Sequence, residues 1–208
     1  MNRRERPLHI TINSDGVHEI AGLISSFPER VKSSAVRAIN RTLDGVQSDI
    51  VKEVPENWNV SKDRVMQALS VRRAALGDTT PSGELSVGKK GRARRIPLYE
   101  FSPDPLTVTN PRPSVGVSVE VRRGKRYKIA GSFIADTPVR GLNIYKRQNS
   151  RQGLSPDGRE RIYKLVGLSV RQMITPDMQA RIEANSRERF VKRFTHEMTE
   201  GFKHGGKK

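Results

Sequence analysis

The chain has 208 residues and carries 39 Lys and Arg against 22 Asp and Glu, a formal charge of +17. Hydrophobic residues make up 34% and aromatic residues 5%, which allows only a thin core and leaves surface for a partner to cover. Cysteine is absent, so disulfides, thiolate metal sites, thiol nucleophiles and iron–sulfur clusters are excluded.

Residues 1–6 read as a basic arm, with no apolar segment behind it to make a secretory signal. Leu8, Ile10 and Ile12 alternate with His9 and Thr11, the period of a half-buried strand. A turn at Asp15-Gly16 leads into a short helix expected over 17–27. Pro28 fits the first position of the next helix. From there Val31, Ala35, Ile39, Thr42 or Leu43, Val46 and Ile50 recur at spacings of three and four. That stripe predicts a long amphipathic helix over 28–54, ended by Pro55. Ser61 is placed to cap a third helical piece running to about Leu69, with Val60 and Val65 as a hydrophobic staple.

Residues 70–175 read as β-rich with long loops. Strands are expected over 71–74, 84–87, 96–101, 115–122, 125–130 and 142–146. Val115, Val117, Val119 and Val121 alternate with small or polar residues and predict one buried row. With Gly124 in the turn, 115–134 reads as a hairpin. The stretches 77–95 and 147–161 read as extended loops. Thr175 can cap the last helix, with Pro176 at its first position and Asp177 in its first turn. Met178, Ile182, Phe190, Phe194, Met198 and Phe202 predict that helix over 176–202, with a gap at Ser186; 204–208 reads as a flexible tail. The expectation is one α+β domain over 7–203. Its small, mostly antiparallel sheet, built around 115–134, is packed by the long helix and the C-terminal helix.

No chemistry-bearing pattern stands out. The four His, at 9, 18, 196 and 204, have no metal-ligand spacing, and no nucleophile elbow, Walker A loop or dinucleotide fingerprint occurs. No enzyme activity, cofactor or metal is expected. No apolar run reaches the roughly 18–20 residues that cross a bilayer, so no membrane partner is expected and the protein reads as soluble. The charge favours a polyanionic partner. Two clusters carry it: Lys89, Lys90, Arg92, Arg94 and Arg95 in a loop, and Arg122, Arg123, Lys125 and Arg126 at the hairpin tip. Each reads either as sequence-neutral phosphate or partner contact, or as a solvated loop and tip. Trp58, the only Trp, reads as a helix-end anchor or an interface anchor.

Five strings, in order over about residues 30–180, resemble the minor tail protein Z family of tailed bacteriophages and prophages. Ala35-Val36-Arg37-Ala38-Ile39-Asn40-Arg41-Thr42 is similar to that family's Ala-x-x-Ala-Leu-Asn-Arg-Thr. Val60-Ser61-Lys62 and then Leu69-Ser70-Val71-Arg72-Arg73-Ala74 resemble its helix-then-strand step. Gly131-Ser132-Phe133-Ile134-Ala135 is similar to its Gly-x-Phe-Ile-Ala. Asn143-Ile144-Tyr145-Lys146-Arg147 stands where it has an aromatic-x-Arg strand. Lys164-Leu165-Val166-Gly167-Leu168-Ser169-Val170 resembles its Lys-Leu-x-Gly-Pro-Ser-Val, with Leu168 where Pro is usual.

The resemblance implies a structural virion protein, present in the host cytoplasm during assembly and then in the neck or tail. It implies a tail-completion protein forming a homo-oligomeric ring, hexameric by the family pattern, between the head connector and the tail terminator or tube proteins, around phage DNA. Asn40, Arg41, Phe133 and Ile134 are the candidate inter-subunit residues. Two other readings stay open: a sequence-nonspecific nucleic-acid-binding protein of ribosomal or nucleoid type, and a tail-tip or baseplate component.

Overall fold

The computed structural model describes residues 9–13, 28–78, 80–88, 94–110, 115–147 and 161–205. In chain order the elements are β1 (His9–Asn13), α1 (Pro28–Asn57), α2 (Lys62–Ala68), β2 (Leu69–Arg72), β3 (Ser82–Val87), β4 (Arg95–Pro97), β5 (Val117–Arg122), β6 (Lys125–Ile129), β7 (Ser132–Thr137), β8 (Gly141–Arg147), β9 (Ile162–Lys164), β10 (Val166–Ser169), α3 (Val170–Met173) and α4 (Pro176–Gly205). The fold is α+β, with a long helix, a long closing helix and small antiparallel sheets. Where the sequence reads as one domain over 7–203, the chain divides into two compact units. The first takes in 1–52, 65–93 and 174–208, the second 53–64 and 94–173. The arm 1–6, the helix expected over 17–27 and the tail beyond 205 lie outside the described residues.

In the first unit, α1 buries the stripe its spacing predicts, Val31, Ala35, Ile39, Thr42, Leu43, Val46 and Ile50, and Ala38 beside it. The sheet there has strand order β1-β3-β2, all antiparallel, with Ile10 opposite Leu85 and Val71 opposite Leu85 on the other side. Gly83, Leu85 and Val87 are buried, while Ser82, Glu84 and Ser86 are half-buried, so β3 alternates between a core face and a polar face. A methyl group on Gly83 would lie 2.6 Å from Leu43 Cδ1 and 2.8 Å from Ile39 Cγ2. Gly83 therefore leaves the room into which Leu43 and Ile39 of α1 pack against the sheet.

Helix α4 is capped as its sequence predicts. The Met178 amide donates to Thr175 Oγ1 at 3.3 Å. Its buried side runs Met178, Ile182, Ser186, Phe190, Phe194, Glu197. Ser186 fills the apparent gap, its hydroxyl donating to the Glu183 carbonyl at 2.7 Å. Arg37 meets Glu197 and Asp49 meets Arg189, so α1 and α4 run antiparallel. The two long helices thus share a unit with β1-β3-β2. The hairpin expected beneath them belongs to the second unit. The connections explain the difference: β2 follows α2 directly and pairs with the next strand in the chain, as neighbouring elements usually do.

The second unit begins with the last turn of α1. Pro55 does not end that helix, which continues to Asn57. So near the end, proline costs a single ladder bond, and the terminal carbonyls find other donors. Val54 O accepts from the Trp58 amide at 3.1 Å, Asn57 O from the Arg123 amide at 3.1 Å, and Pro55 O from Arg123 Nε.

The hairpin β5–β6 forms, with Ser118 opposite Lys128 and Val119 opposite Tyr127. Its valine row is shorter than its alternation predicts. Val117 and Val119 are buried and Val121 is half-buried, but Val115 is exposed and precedes the strand. The reason is Gly116, at φ +86, which turns the chain at a point where an added Cβ would lie 2.1 Å from the Ile129 carbonyl oxygen. The hairpin also stops at Ile129. From Ser132 the chain pairs with β8 in a separate sheet of order β7-β8-β9, and β4 pairs with β10. On its other edge, Ser118 exchanges both backbone bonds with Asp104 (2.9 and 3.0 Å), and the Glu120 amide donates to Phe101 O at 2.9 Å. Ile96, Phe101, Ile144, Tyr145 and Met173 fill the core of this unit. Among the described residues, every buried side-chain nitrogen and oxygen has a hydrogen-bond partner.

Replacing Gly83 by Val drives a branched side chain into Leu43 and Ile39. It should lower stability by about 1–3 kcal/mol, read as a drop in the urea midpoint at unchanged slope. An unchanged midpoint would mean that α1 does not press on β3 there.

Candidate nucleic-acid and partner interface

Asn40 and Arg41 sit side by side on α1, and each has a partner inside the first unit. Asn40 Nδ2 donates to the Ala74 carbonyl at 3.1 Å, and the Ala74 amide donates back to Asn40 Oδ1 at 2.9 Å. The asparagine thereby satisfies both backbone groups of the residue that ends the step after β2. Arg41 Nη1 donates to Glu197 Oε1, and Arg37 Nε donates to Glu197 Oε2 at 2.6 Å. Phe133 and Ile134 lie on opposite faces of β7, the arrangement expected to put one in the core and leave the other facing a neighbour. Both are buried, at 6% and 4% exposure, because β7 is covered on both faces. The Phe133 and Tyr145 rings lie 6.4 Å apart, and the Arg147 guanidinium sits 5.9 Å from the Phe133 ring.

Glu197 was hidden from sequence reading, which gave the stripe position to Met198. Its carboxylate is almost wholly buried, while Arg37 and Arg41 are 48% and 56% exposed. Burial alone raises its pKa; the hydrogen bond from Arg37 and the charges of Arg41, Arg37 and His196 lower it more, and the net value lies below the ordinary glutamate range. A depressed folded pKa means stability that is complete above the free-glutamate range and lost as pH falls through the folded value.

The two basic clusters fare differently. Lys89, Lys90 and Arg92 lie outside the described residues; Arg94 and Arg95 are exposed, Arg95 standing in β4 opposite Ser169. At the hairpin tip, three of the four cations have structural partners. The Arg122 guanidinium sits 5.8 Å from the Trp58 ring, and Trp58 Nε1 donates to Met173 O at 2.9 Å, so the lone Trp anchors the helix end. Arg123 closes the carbonyl end of α1 by backbone and side chain. Arg126 donates to Ser118 Oγ at 3.2 Å and to Ser102 O at 3.0 Å, fastening the loop after Phe101 to the hairpin. The Lys125 side chain makes no hydrogen bond or ion pair among the described residues. The signal that would have revealed the Arg123 role is Pro55 itself, since a proline near a helix end disturbs the carbonyls that a donor must then meet.

The exposed positive surface is therefore narrower than the clusters imply. It centres on β6, where Lys125, Arg126, Tyr127 and Lys128 are exposed in succession. Large apolar side chains also reach solvent in the second unit: Leu106, Val108, Val115, Val139, Ile162 and Val166, with Val139 at 90%. Among the described residues, no three His, Asp or Glu converge as metal ligands, and no helix is long and apolar enough to cross a membrane.

Glu197→Gln leaves Arg37 and Arg41 facing each other without their anion. It should cost about 1–3 kcal/mol near neutral pH and flatten the acid limb of the stability–pH curve, measured by urea unfolding at several pH values. A parallel shift with no change in the acid limb would contradict the charge clamp. At the hairpin tip, Arg123→Ala and Arg126→Ala should each lower stability by about 1–2 kcal/mol, against roughly 0.5 or less for Lys125→Ala. Thermal unfolding compares the three, and equal effects would show that the tip is solvated throughout. No protein-family model, no curated protein and no solved structure matches this chain.

Proposed function

We propose that the chain is a structural virion protein of a tailed phage: a tail-completion protein whose copies form a ring at the head–tail junction. There it joins the tail tube to the head connector and surrounds the DNA channel. The observation that carries this reading is the ordered resemblance to the minor tail protein Z family, together with the work those strings do in the fold. In the first string, Ala35, Ala38, Ile39 and Thr42 are buried, Asn40 holds Ala74 and Arg41 holds Glu197. The Gly131–Ala135 string turns the chain out of the hairpin and starts β7. The last string runs from the end of β9 through β10 into α3. Residues that resemble a family signature and also carry the packing are a stronger likeness than surface strings would be.

Composition supports the same reading. Two small units with modest cores, and apolar side chains left in solvent on the second, suit a subunit that gains burial from its neighbours. A net charge of +17 suits a place beside DNA or acidic proteins.

Native mass spectrometry and sedimentation of the purified chain test the reading, followed by electron microscopy of particles that carry it. A closed oligomer, with density at the neck, is expected. A chain that stays monomeric at every concentration and binds duplex DNA with a steep salt dependence would instead establish the nucleic-acid-binding alternative.

A further inference from the structure

We infer that β6 is a docking edge for an acidic, extended segment of a different protein, which adds to it as a further antiparallel or parallel strand. The inference stands on strand geometry and does not require the ring.

The backbone supplies the first argument. Ser118 gives both its N–H and its C=O to Asp104, so its backbone faces away from β6. Lys128 is its cross-strand neighbour. In an antiparallel ladder, such a pair turns its polar groups away from each other, so the Lys128 N–H and C=O point out of the sheet. Alternation places those of Arg126 on the same side. Among the described residues no strand pairs with this edge, the ladder ending at β6. These groups present donors and acceptors at the spacing an added strand needs.

Charge decides the occupant. Side chains along β6 alternate: Lys125 and Tyr127 project to one face, Arg126 and Lys128 to the other. The nearest carboxylate in the hairpin, Glu120, already accepts from the Gly124 amide at 3.0 Å. A second copy would bring an equally cationic edge on a chain of charge +17, placing like charges opposite one another. An acidic strand instead sets its carboxylates beside cations on both faces while its backbone completes the ladder. A DNA backbone lying across one face reaches half of these side chains and makes no use of the outward peptide groups.

Fluorescence anisotropy on the full chain tests this. One probe is an acidic peptide repeating Glu-Glu-Val, which sets carboxylates on both faces of a strand. A second is a Glu-Glu-Pro repeat of the same charge, which puts Pro on both edges of a strand, and a third is a short DNA duplex. The Glu-Glu-Val peptide should bind about tenfold or more tightly than the Pro version, since Pro cannot add to a ladder. Its binding should protect the Arg126 and Lys128 amides from hydrogen exchange. Lys128→Pro removes the outward N–H, and Lys128→Gln removes the charge alone. With circular dichroism unchanged in both, Lys128→Pro should weaken the peptide by about tenfold or more and Lys128→Gln by only about threefold. Equal binding of the two peptides, equal loss in the two variants, or absence of binding or protection would overturn the inference. So would tighter binding of the duplex that is insensitive to Lys128→Pro, which would mark β6 as a phosphate contact.

Discussion

Close approach of α1 to its neighbours is the constraint on which the first unit rests. A chain with 5% aromatic residues cannot fill a wide gap between layers, so the layers must come near. The small residues lie where that nearness requires them. Ala35 and Ala38 are buried on α1, Gly83 meets Leu43 and Ile39, and Ser186 takes a buried position on α4. At Gly45, a methyl group would lie 2.4 Å from Arg189 Nη1, so the helix leaves a notch through which Arg189 reaches Asp49 at 2.9 Å. Packing and charge are arranged together here: the glycine that lets the arginine in also sets the pairing of the two helices.

The same economy governs the positive charge. Arginine is used repeatedly as internal fastening, since its planar fork meets two acceptors at once. Arg189 grips Asp49 with both terminal nitrogens, and Arg73 does the same to Asp44. Arg37 and Arg41 hold the two oxygens of Glu197. In the second unit Arg123 and Arg126 reach main-chain carbonyls and Arg122 lies by Trp58. These cations hold the fold and count toward the net charge at the same time, so a formal +17 overstates the charge left for a partner.

Much of the fold was legible where a single local rule acts. The three- and four-residue spacing on α1, Ser61 Oγ accepting from the Arg64 amide at 3.2 Å, and Thr175 capping α4 are decided within a few residues. The strand at 117–122 was legible for the same reason, although Ser118 between the two buried valines is buried as well. What was not legible is which strand pairs with which. Alternation marks a face but names no partner, and so the break between Ile129 and Ser132, which separates two sheets, looked like one continuous hairpin. Strands β9 and β10 have three and four residues, too short for a period to register, and half their side chains are exposed. Glu197 was missed because its burial depends on Arg37 and Arg41, more than a hundred and fifty residues earlier. The candidate site suffered likewise. A run of arginines gives the same signal whether its members face water or a distant carbonyl.

That ambiguity has a physical resolution in the difference between arginine and lysine. Arginine is the weaker-hydrated cation and accepts partial burial; lysine keeps its ammonium in water. Around the hairpin the division follows that rule: Arg122, Arg123 and Arg126 have partners, while the Lys125 side chain has none among the described residues. In a chain this basic, the lysines therefore indicate the available surface better than the densest arginine run does. On β6 they lie at both ends of an exposed stretch in which the peptide groups of Arg126 and Lys128 turn outward. Lysine on an edge strand also opposes pairing with another cationic edge. The same residues that keep copies of this chain from joining edge to edge leave the strand open to an anionic one, so selectivity arises from charge while the backbone supplies the contact.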